Sequence, residues 1–501
     1  MNTDLAHKKE KKISTKVNFF YSLLIQLSAY IVTLVTSPYL SRVLGPFAIG
    51  ENSFINSMSR YFVLVISFGF LTYGVKEISR LQKNKDDYSK VFWNIVSSRG
   101  FLFVISFLVY FLLSYFWGFG TSFDKRLFLI YSLMLLSTFF DISYLFQGLE
   151  KFKIVSLITI AYKIIGATFY FLFVKSPNDL YIYVIITCAE SLLTAITMWF
   201  FALTRLSKPR LKDIHVFKTL KENLAYFLPT IAMSIYTLLD KTMLGYLSSS
   251  EEIGYYEEAY KIIVFAAVVI NSIGPVILSR VSSLIEEGNE EEVRHKSIQM
   301  AEASQLLIWP AIFGLYAVGD YFIPAFFGDE YLPAIQVLYW LTPLIFVIPL
   351  SNQIGNAYYL PRGKVNETTR FLLIGAFVNF GSNFLAIHYL GAEGAAITSL
   401  IAETIISTLY VVFSRKKVPY KDMAKNGIRS FASALIMFGI LMGLKYLVFE
   451  HYLYGYIVKT LVSVACGAVL YFLLLVLSKE PMLMEGFRSL KNHHKENQAK
   501  E

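Results

Sequence analysis

The sequence predicts an all-α integral membrane protein with about 14 transmembrane helices. Three observations lead to this prediction: apolar stretches of about 20 residues recur along the chain, the loops between them are short, and basic residues collect in every second loop. A bilayer core about 30 Å thick needs about 20 helical residues to cross it. The chain has 501 residues, of which 55% are hydrophobic. That composition leaves little sequence for a soluble domain.

The apolar stretches fill the chain from Val17 to Leu477 and are separated by short polar loops. Each stretch is long enough to cross a bilayer once. The predicted spans cover residues 17–37, 48–74, 90–115, 126–148, 154–174, 180–204, 223–244, 255–281, 297–319, 331–358, 367–390, 395–414, 428–449 and 455–477.

Basic residues indicate the side of the membrane on which each loop lies. Lysine and arginine clusters follow every second span, whereas loops 245–254, 320–330 and 391–394 contain no basic residue. By the positive-inside rule, the basic loops are cytoplasmic. Both terminal tails are basic, so both termini are predicted to be cytoplasmic, which requires an even number of spans. The net charge of +10 therefore reflects membrane orientation and does not indicate nucleic-acid binding.

The longest connection, the basic loop 205–222, is the best candidate for a linker between two lobes. Two short matches recur on either side of it in the same order: Ile49-Gly50 with Ile253-Gly254, and Ala189-Glu190 with Ala402-Glu403. They favour a parallel duplication, because each half has six spans and starts on the cytoplasmic side. The predicted domains are an N-lobe (1–204), the linker (205–222), a C-lobe (223–414) and a final segment with spans 13 and 14 and the cytoplasmic tail (415–501).

Three predicted spans carry polar side chains at spacings that keep them on one helix face. Serine and threonine often hold transmembrane helices together at close contacts, so a structural role is one interpretation. Stripes in spans 1, 2 and 7, which include the first span of each lobe, favour instead a water-filled cavity. The residues predicted to line that cavity are Asn18, Ser22, Gln26, Asn52, Ser53, Asn56, Thr230, Ser234 and Thr237.

Five ionisable residues lie near the middle of predicted spans: Arg60, Arg99, Lys163, Glu190 and Glu403. Each would cost about 2.5 kcal/mol or more at the centre of a helix facing lipid, so these residues must face water, a ligand or one another. The two glutamates could pair with basic residues as structural supports, or they could exchange ions. Arg60 and Arg99 have no acidic residue one turn away, and a guanidinium suits bidentate phosphate binding.

A second group of charges lies near the predicted outer ends of helices. Most of them cluster at the ends of spans 7 and 8, and two occupy the matching place in the first lobe. They could form an external gate that pairs when closed, or an ordinary interfacial network of ion pairs. The candidate gate residues are Arg42, Glu51, Asp240, Lys241, Glu257, Glu258 and Lys261.

The sequence contains none of the common catalytic motifs. It has no Walker A loop, no HExxH zinc spacing, no nucleophile elbow and no large loop on either side of the membrane. These observations argue against an enzyme, and no metal or cofactor is expected. Cys188 and Cys466 both lie within predicted spans, so no disulfide framework is expected.

Several short segments resemble a known family. Two of these segments flank spans 1 and 2: Pro38–Gly45, with Gly50 following, and Phe68–Ile78. Two more, Gly148–Lys153 and Leu360–Lys364, lie at predicted cytoplasmic turns. These segments, together with the chain length, the span count and the two lobes, resemble Wzx-type polysaccharide repeat-unit flippases. That family belongs to the multidrug/oligosaccharidyl-lipid/polysaccharide exporter superfamily.

The resemblance implies two six-helix lobes around a central cavity, with two extra helices that could hold a polyprenyl tail. The implied substrate is an undecaprenyl-pyrophosphate-linked oligosaccharide, moved from the cytoplasmic to the outer leaflet by alternating access for capsule-like or O-antigen-like polysaccharides. On this interpretation Arg60, Arg99 and Lys163 bind the pyrophosphate, and Glu190 and Glu403 couple transport to a H⁺ or Na⁺ gradient. The expected location is the bacterial cytoplasmic membrane, and the expected partners are membrane lipids and the polysaccharide polymerase or assembly proteins.

Three alternatives remain open. A lipid II flippase for peptidoglycan would share the fourteen-helix plan. An ion-coupled multidrug exporter would usually have twelve spans and favour an acidic cavity, whereas the centre of the first lobe is basic. A scaffold protein for a glycan synthase complex would tolerate neutralisation of every charge within the membrane.

Overall fold

The structure of the chain is a computed structural model, and it describes residues 15–121, 123–272, 274–446 and 455–484. These residues are almost entirely helical, and none of them lies in a β-strand. The predicted all-α fold is therefore confirmed. Side chains are described from Tyr30 onward, with a few gaps, so those of Asn18, Ser22 and Gln26 lie outside the described part of the chain.

The chain forms two compact units. Unit 1 contains the described residues up to Leu44 together with Phe54–Ser234, and unit 2 contains Gly45–Ser53 and the chain from Ile235 onward. The boundary between the units after Ser234 lies within a continuous helix, whereas the sequence places a linker at 205–222. That linker contains the short 3₁₀ turn Leu211–Asp213.

Unit 1 is built from eight helices, the first and last of which continue into unit 2. They are α1 (Thr15–Ser67), α2 (Phe70–Leu81), α3 (Lys85–Leu112), α4 (Lys125–Phe140), α5 (Ser143–Gly148), α6 (Phe152–Phe173), α7 (Leu180–Ala202) and α8 (Val216–Leu247).

Unit 2 contains, besides its parts of α1 and α8, a further set of helices. They are α9 (Ser250–Asn271), α10 (Gly274–Glu286), α11 (Glu290–Phe327), α12 (Ala334–Leu341), α13 (Leu344–Ile354), α14 (Val365–Ser414), α15 (Tyr420–Leu444) and α16 (Tyr456–Leu477).

Ten helical segments within the described residues are long and apolar enough to cross a membrane. Two of them cover more than one predicted span: Tyr30–Leu81, with 52 residues, covers the end of span 17–37 and all of span 48–74, and Val365–Ser414, with 50 residues, contains spans 367–390 and 395–414. The chain is therefore a multi-pass membrane protein. The total of 14 spans and the cytoplasmic position of both termini stay predictions.

Glycines break the two longest helices. Gly45 has φ 75° within α1, and Gly391 has φ 53° within α14. A residue with a β-carbon adopts these left-handed values only with strain, whereas glycine adopts them freely. Each glycine therefore lies between two predicted spans and allows the second to begin in a new direction.

The two Ile-Gly dipeptides that suggested an internal repeat meet within unit 2. A β-carbon on Gly50 of α1 would lie 1.7 Å from the backbone oxygen of Ser250, and one on Gly254 of α9 would lie 2.2 Å from the backbone oxygen of Pro46. Real side chains cannot approach backbone so closely, so the two segments touch through their glycines. Small residues at helix contacts are a common means of packing in membranes.

We therefore expect Gly50→Ala to destabilise the protein. The added methyl group must push α1 and α9 apart, and such overpacking costs about 1–3 kcal/mol. The measurement is the thermal unfolding midpoint of detergent-purified protein. Gly381→Ala is the control, because a β-carbon there meets nothing within 4 Å and alanine is the better helix former. An unchanged midpoint for Gly50→Ala would contradict this account of the contact.

Candidate functional site

Unit 1 contains a polar cavity of about 430 Å³ within its membrane-spanning helices. Its wall comes from α1, α4, α5, α6 and α7, and is rich in hydroxyl and charged groups, which are rare on lipid-facing surfaces. We call it the polar cavity. It is lined by Val63, Ser67, Ser137, Thr138, Asp141, Ser143, Gln147, Val155, Thr159, Lys163, Glu190, Ser191, Thr194, Ala195 and Met198.

A break between α4 and α5 places a carboxylate at this cavity. Asp141 has an extended backbone (φ −68°, ψ 111°) that ends α4. Its Oδ1 accepts a hydrogen bond of 2.9 Å from the backbone N–H of Ser143, at the start of α5. Within the described part of the chain, Oδ2 makes no hydrogen bond. One carboxylate oxygen therefore holds the break, and the other is available to the cavity.

Arg99 stabilises the same break from the other side. Its side chain is 3% exposed, and its guanidinium donates to the backbone oxygens of Asp141 and Thr138. It also lies 5.6 Å from the ring centre of Phe70 and 5.3 Å from that of Tyr144. The carbonyl groups released where α4 ends are satisfied in this way. These contacts favour a structural role for Arg99 over the predicted pyrophosphate role.

Lys163 and Glu190 form an ion pair in the cavity wall. Nζ of Lys163 on α6 lies 2.9 Å from Oε1 of Glu190 on α7, and the side chains are 26% and 13% exposed. A β-carbon on Gly166 would lie 2.7 Å from Oε2 of Glu190, so this glycine makes room for the carboxylate. The pairing matches the structural alternative given above for the glutamates. It leaves Lys163 less suited to a pyrophosphate, because its charge is already compensated.

Arg60 differs from the other two predicted pyrophosphate ligands. It is exposed on α1, and its Nε donates to Oδ1 of Asn56 at 3.1 Å. No carboxylate lies within 4.0 Å of it among the described residues. A guanidinium held by one neutral contact keeps donors free for an anion. Of the three predicted ligands, Arg60 is therefore the one whose geometry suits a phosphate.

The predicted polar stripes fall in both units. Asn52 and Ser53 belong to unit 2, where the Ser53 hydroxyl donates to Oε2 of Glu257 at 2.7 Å. In unit 1, the Thr230 hydroxyl donates to the backbone oxygen of Tyr226 at 2.9 Å, one turn earlier in α8. Ser234 is half-buried and Thr237 is exposed. Whether these residues line one cavity stays a prediction.

Four of the predicted gate residues form a network of ion pairs in unit 2. Glu257 contacts Nζ of Lys241 and lies 3.8 Å from Nζ of Lys261. Lys261 also lies 2.8 Å from Oε1 of Glu258, whose side chain is fully buried. The charges that the sequence places near the ends of spans 7 and 8 therefore pair with one another. A gating role for them stays a prediction.

Two further predicted gate residues belong to different units. Glu51 is buried in unit 2, and Arg42 belongs to unit 1. Glu403, the second predicted coupling glutamate, is half-buried on α14. All three make contacts, so none of them is a free charge.

Asp240 was predicted as a gate residue, but it has a separate environment. Its carboxylate is 7% exposed and accepts from the Tyr256 hydroxyl at 2.7 Å, from Asn379 Nδ2 at 3.0 Å and from Asn383 Nδ2 at 2.7 Å. The Ser399 hydroxyl donates to it as well. Within the described residues, all of these partners are neutral. The signal that sequence reasoning missed is the pair Asn379 and Asn383, one turn apart in an apolar span.

Unit 2 also contains an apolar groove of about 660 Å³ between α9, α11, α15 and α16. Helices α15 and α16 are the two that follow the predicted six-helix repeat. The groove is lined almost entirely by hydrocarbon side chains, so its surface is suited to binding a hydrocarbon chain. Its lining includes Phe265, Leu307, Gly314, Met437, Val464 and Phe472.

Comparisons with known proteins agree with a membrane protein of polysaccharide biosynthesis. The family described as polysaccharide biosynthesis protein matches residues 16–284, more than half of the chain. A protein of Escherichia coli K12 described as a candidate O-antigen transporter is 26% identical over 409 residues, which cover 81% of this chain and 97% of that protein. The teichuronic acid biosynthesis protein TuaB of Bacillus subtilis 168 is 27% identical over 250 residues, which cover 48% of this chain and 49% of TuaB.

Two solved structures share the fold. The lipid II flippase MurJ, in an inward closed conformation, has a TM-score of 0.74 at 17% identity, covering 93% of this chain and 100% of MurJ. An inward-facing MATE transporter of the MOP superfamily has a TM-score of 0.59 at 14% identity, covering 81% of this chain and 99% of that transporter. At such identities the likeness shows the fold alone. The chain therefore belongs to the polysaccharide biosynthesis protein family and has the fold of MOP-type transporters.

Proposed function

We propose that the protein is a flippase that moves undecaprenyl-pyrophosphate-linked oligosaccharide repeat units from the cytoplasmic to the outer leaflet of the bacterial cytoplasmic membrane. The observation that carries the proposal is the polar cavity of unit 1, which brings hydroxyls and carboxylates to membrane depth in a chain of this family. Such groups are tolerated there only where they face water, a ligand or each other. The related proteins named for O-antigen transport and teichuronic acid biosynthesis point to the same substrate class.

The polar cavity suits the oligosaccharide part of this substrate. The hydroxyls of Ser137 and Thr138 donate to the backbone oxygen of Met134, so their remaining lone pairs can accept hydrogen bonds from a sugar. Asp141 offers a further acceptor. The Lys163–Glu190 pair presents both a donor and an acceptor while adding no net charge. Together these groups can replace the water around a sugar without preferring an anion.

Arg60 is the proposed contact for the pyrophosphate. It is exposed and is held by a single described neutral contact, with Asn56. An arginine that faces a phosphate can form two parallel charge-assisted hydrogen bonds. On this proposal Arg99 acts only by holding the α4–α5 break in place, and Lys163 acts with Glu190 in sugar binding.

The apolar groove of unit 2 is the proposed contact for the polyprenyl tail. Its hydrocarbon lining allows an isoprenoid chain to stay in an apolar environment while the polar part moves through the protein. Alternating access of the two units would expose the substrate first to the cytoplasm and then to the outside. A H⁺ or Na⁺ gradient is the proposed driving force. Asp240, a buried carboxylate with neutral described partners, joins Glu190 and Glu403 as a candidate coupling group.

The two other transport functions are less favoured. A lipid II flippase is suggested only by the fold shared with MurJ, at 17% identity. A multidrug exporter is suggested only by the fold shared with the MATE transporter, at 14% identity. The family match and the related sequences both concern polysaccharide biosynthesis.

The test is translocation by purified protein in proteoliposomes. A fluorescent undecaprenyl-pyrophosphate oligosaccharide is followed with an impermeant quencher, with and without a proton or sodium gradient. We expect protein-dependent exposure of the substrate on the opposite leaflet. Arg60→Ala should lower the rate at least about tenfold, because one charge-assisted contact to phosphate contributes about 1.5–3 kcal/mol.

Arg210→Ala is the matched control, because this exposed arginine lies in the predicted cytoplasmic linker and not in a predicted span. It should translocate as the wild-type protein does. If neither gradient gives any translocation by the wild-type protein, the flippase proposal fails. If translocation occurs and Arg60→Ala retains the full rate, only the assignment of the pyrophosphate contact fails.

Filling the apolar groove should impair transport of long-tailed substrates. Val464 on α16 lines the groove and is 53% exposed, so Val464→Trp can enter the groove without disturbing the core. We expect slower translocation of an undecaprenyl substrate and little change for the same oligosaccharide on a short prenyl tail. Leu461→Trp, on the same helix, 65% exposed and outside the groove, should leave both rates unchanged. Equal effects of the two tryptophans would argue against the groove as the site of the tail.

A further inference from the structure

A second cavity of unit 2, of about 380 Å³, lies where four helices reach the predicted cytoplasmic side. Its wall comes from the first half of α11, the end of α13, the end of α14 and the start of α15. Three loops join these helix ends to their neighbours: 360–364 and 415–419 are basic, whereas the loop 287–289 before α11 is flanked by glutamates. We call this cavity the basal pocket. Its volume is within the range of about 300–1,000 Å³ that is typical of small-molecule sites.

The interior of the basal pocket is apolar. Trp309, Phe346 and Leu350 contribute hydrocarbon and ring surface to it. Two polar side chains of the wall are hydrogen-bonded: Nε2 of Gln305 donates to the backbone oxygen of Met423 at 3.1 Å, and the Tyr420 hydroxyl lies 2.5 Å from the hydroxyl of Ser414. A third, Gln353, makes no hydrogen bond within the described residues. An occupant therefore meets a surface that suits an alkyl chain rather than a sugar.

The basal pocket opens along one face of α15. Its lining residues Ala424, Ile428 and Phe431 follow each other at spacings of four and three, and all three are exposed. Exposed apolar side chains on a membrane helix are suited to contact with lipid. An acyl chain of a membrane lipid could therefore enter the pocket sideways, without leaving the bilayer.

Basic side chains surround this opening. Lys421 and Lys425 are exposed and lie three residues before Ala424 and Ile428 respectively, a spacing that places them on the same face of α15. Arg415, Lys416 and Lys417 are exposed in the preceding turn. In the part of the chain that the structure describes, none of the five has a carboxylate within 4.0 Å. Asp422, the acidic residue among them, pairs with Arg294 at 2.5 Å.

We propose that the basal pocket binds an anionic glycerophospholipid of the cytoplasmic leaflet. One acyl chain occupies the pocket through its opening on α15, and the headgroup phosphate lies against Lys421 and Lys425. The choice of an anionic lipid rests on the charges around the opening. An apolar cavity bordered by lysines that have no carboxylate partner complements a lipid with a negative headgroup. Basic sites between helices on the cytoplasmic side of membrane proteins bind such lipids. This site is separate from the polar cavity and from the apolar groove, so the inference goes beyond the proposed transport function.

The test is lipid binding by the full-length protein in detergent, measured by native mass spectrometry. Dioleoyl phosphatidylglycerol is titrated against dioleoyl phosphatidylcholine, which has the same chains and no net charge. The wild-type protein should prefer phosphatidylglycerol. Lys421→Gln with Lys425→Gln should weaken phosphatidylglycerol binding about 10- to 30-fold, since each basic residue near the headgroup contributes roughly a factor of 5. Binding of phosphatidylcholine should change little.

A second variant tests the pocket itself. Ala424→Trp adds a large ring at the exposed opening, so it should weaken binding of both lipids while the protein stays folded, as judged by its unfolding midpoint. Lys83→Gln with Lys212→Gln is the matched control, because it removes two exposed lysines from predicted cytoplasmic loops that are remote in sequence from the pocket. This control should bind both lipids as the wild-type protein does.

Three results would overturn the proposal. The first is an unchanged lipid preference in the Lys421→Gln and Lys425→Gln variant. The second is an equal loss in the lysine control, which would mean that the lipid responds only to total charge. The third is binding of undecaprenyl phosphate at least tenfold tighter than that of phosphatidylglycerol, with the same sensitivity to Ala424→Trp. That outcome would assign the pocket to polyprenyl carriers.

Discussion

The structure depends on one constraint: a charged side chain within the membrane must be paired, hydrogen-bonded or hydrated. The described residues meet this constraint in several ways. Arg99 donates to backbone oxygens that the end of α4 releases, Lys163 pairs with Glu190, and Asp240 accepts hydrogen bonds from neutral side chains. Arg60 alone among the predicted pyrophosphate ligands stays exposed. The location of the charges therefore separates structural groups from candidate binding groups.

The same constraint explains why a helix breaks where the polar cavity lies. Irregular backbone at membrane depth is tolerated only where it is buried in protein or lines a cavity. At Asp141 both conditions hold, because Arg99 satisfies the carbonyl groups on one side and the cavity lies on the other. The break brings a carboxylate and several hydroxyls to one place. Unit 2 carries a contrasting feature, an apolar groove beside its last two helices. A substrate with a sugar part and an isoprenoid part needs both kinds of surface.

Much of the fold was predictable from the sequence, because membrane spans are determined by local composition. Apolar stretches and alternating basic loops predicted an all-α membrane protein, and glycines such as Gly45 and Gly391 stand where one predicted span ends and the next begins. The contact of Gly50 with the backbone of Ser250 was not predictable, because it joins residues about 200 positions apart. The match between the two Ile-Gly dipeptides favoured a duplication and gave no indication that the two segments touch.

The candidate site was only partly predictable. The sequence identified the charged residues within spans, since any such residue is costly in lipid. It could not tell which charge pairs with which: Lys163 and Glu190 are 27 positions apart and meet only because α6 packs against α7. No partner for Arg99 was evident in the sequence because its partners are backbone oxygens, which every residue has and which residue types therefore cannot identify. The partners of Asp240 on α14 were missed because isolated asparagines in an apolar span resemble ordinary helix contacts.

Transport by the proposed route requires that the polar cavity is hydrated and admits the substrate. This requirement is tested most directly by cysteine labelling in a protein whose two native cysteines are replaced by alanine. Thr159 on α6 lines the cavity, whereas Ile164 on the same helix is 56% exposed and outside it. A maleimide reacts with the thiolate, which forms in water and not in lipid. A membrane-impermeant maleimide should label Thr159→Cys and spare Ile164→Cys, and lipid-linked oligosaccharide should slow the labelling. Failure to label Thr159→Cys, or labelling that the substrate does not slow, would contradict the account.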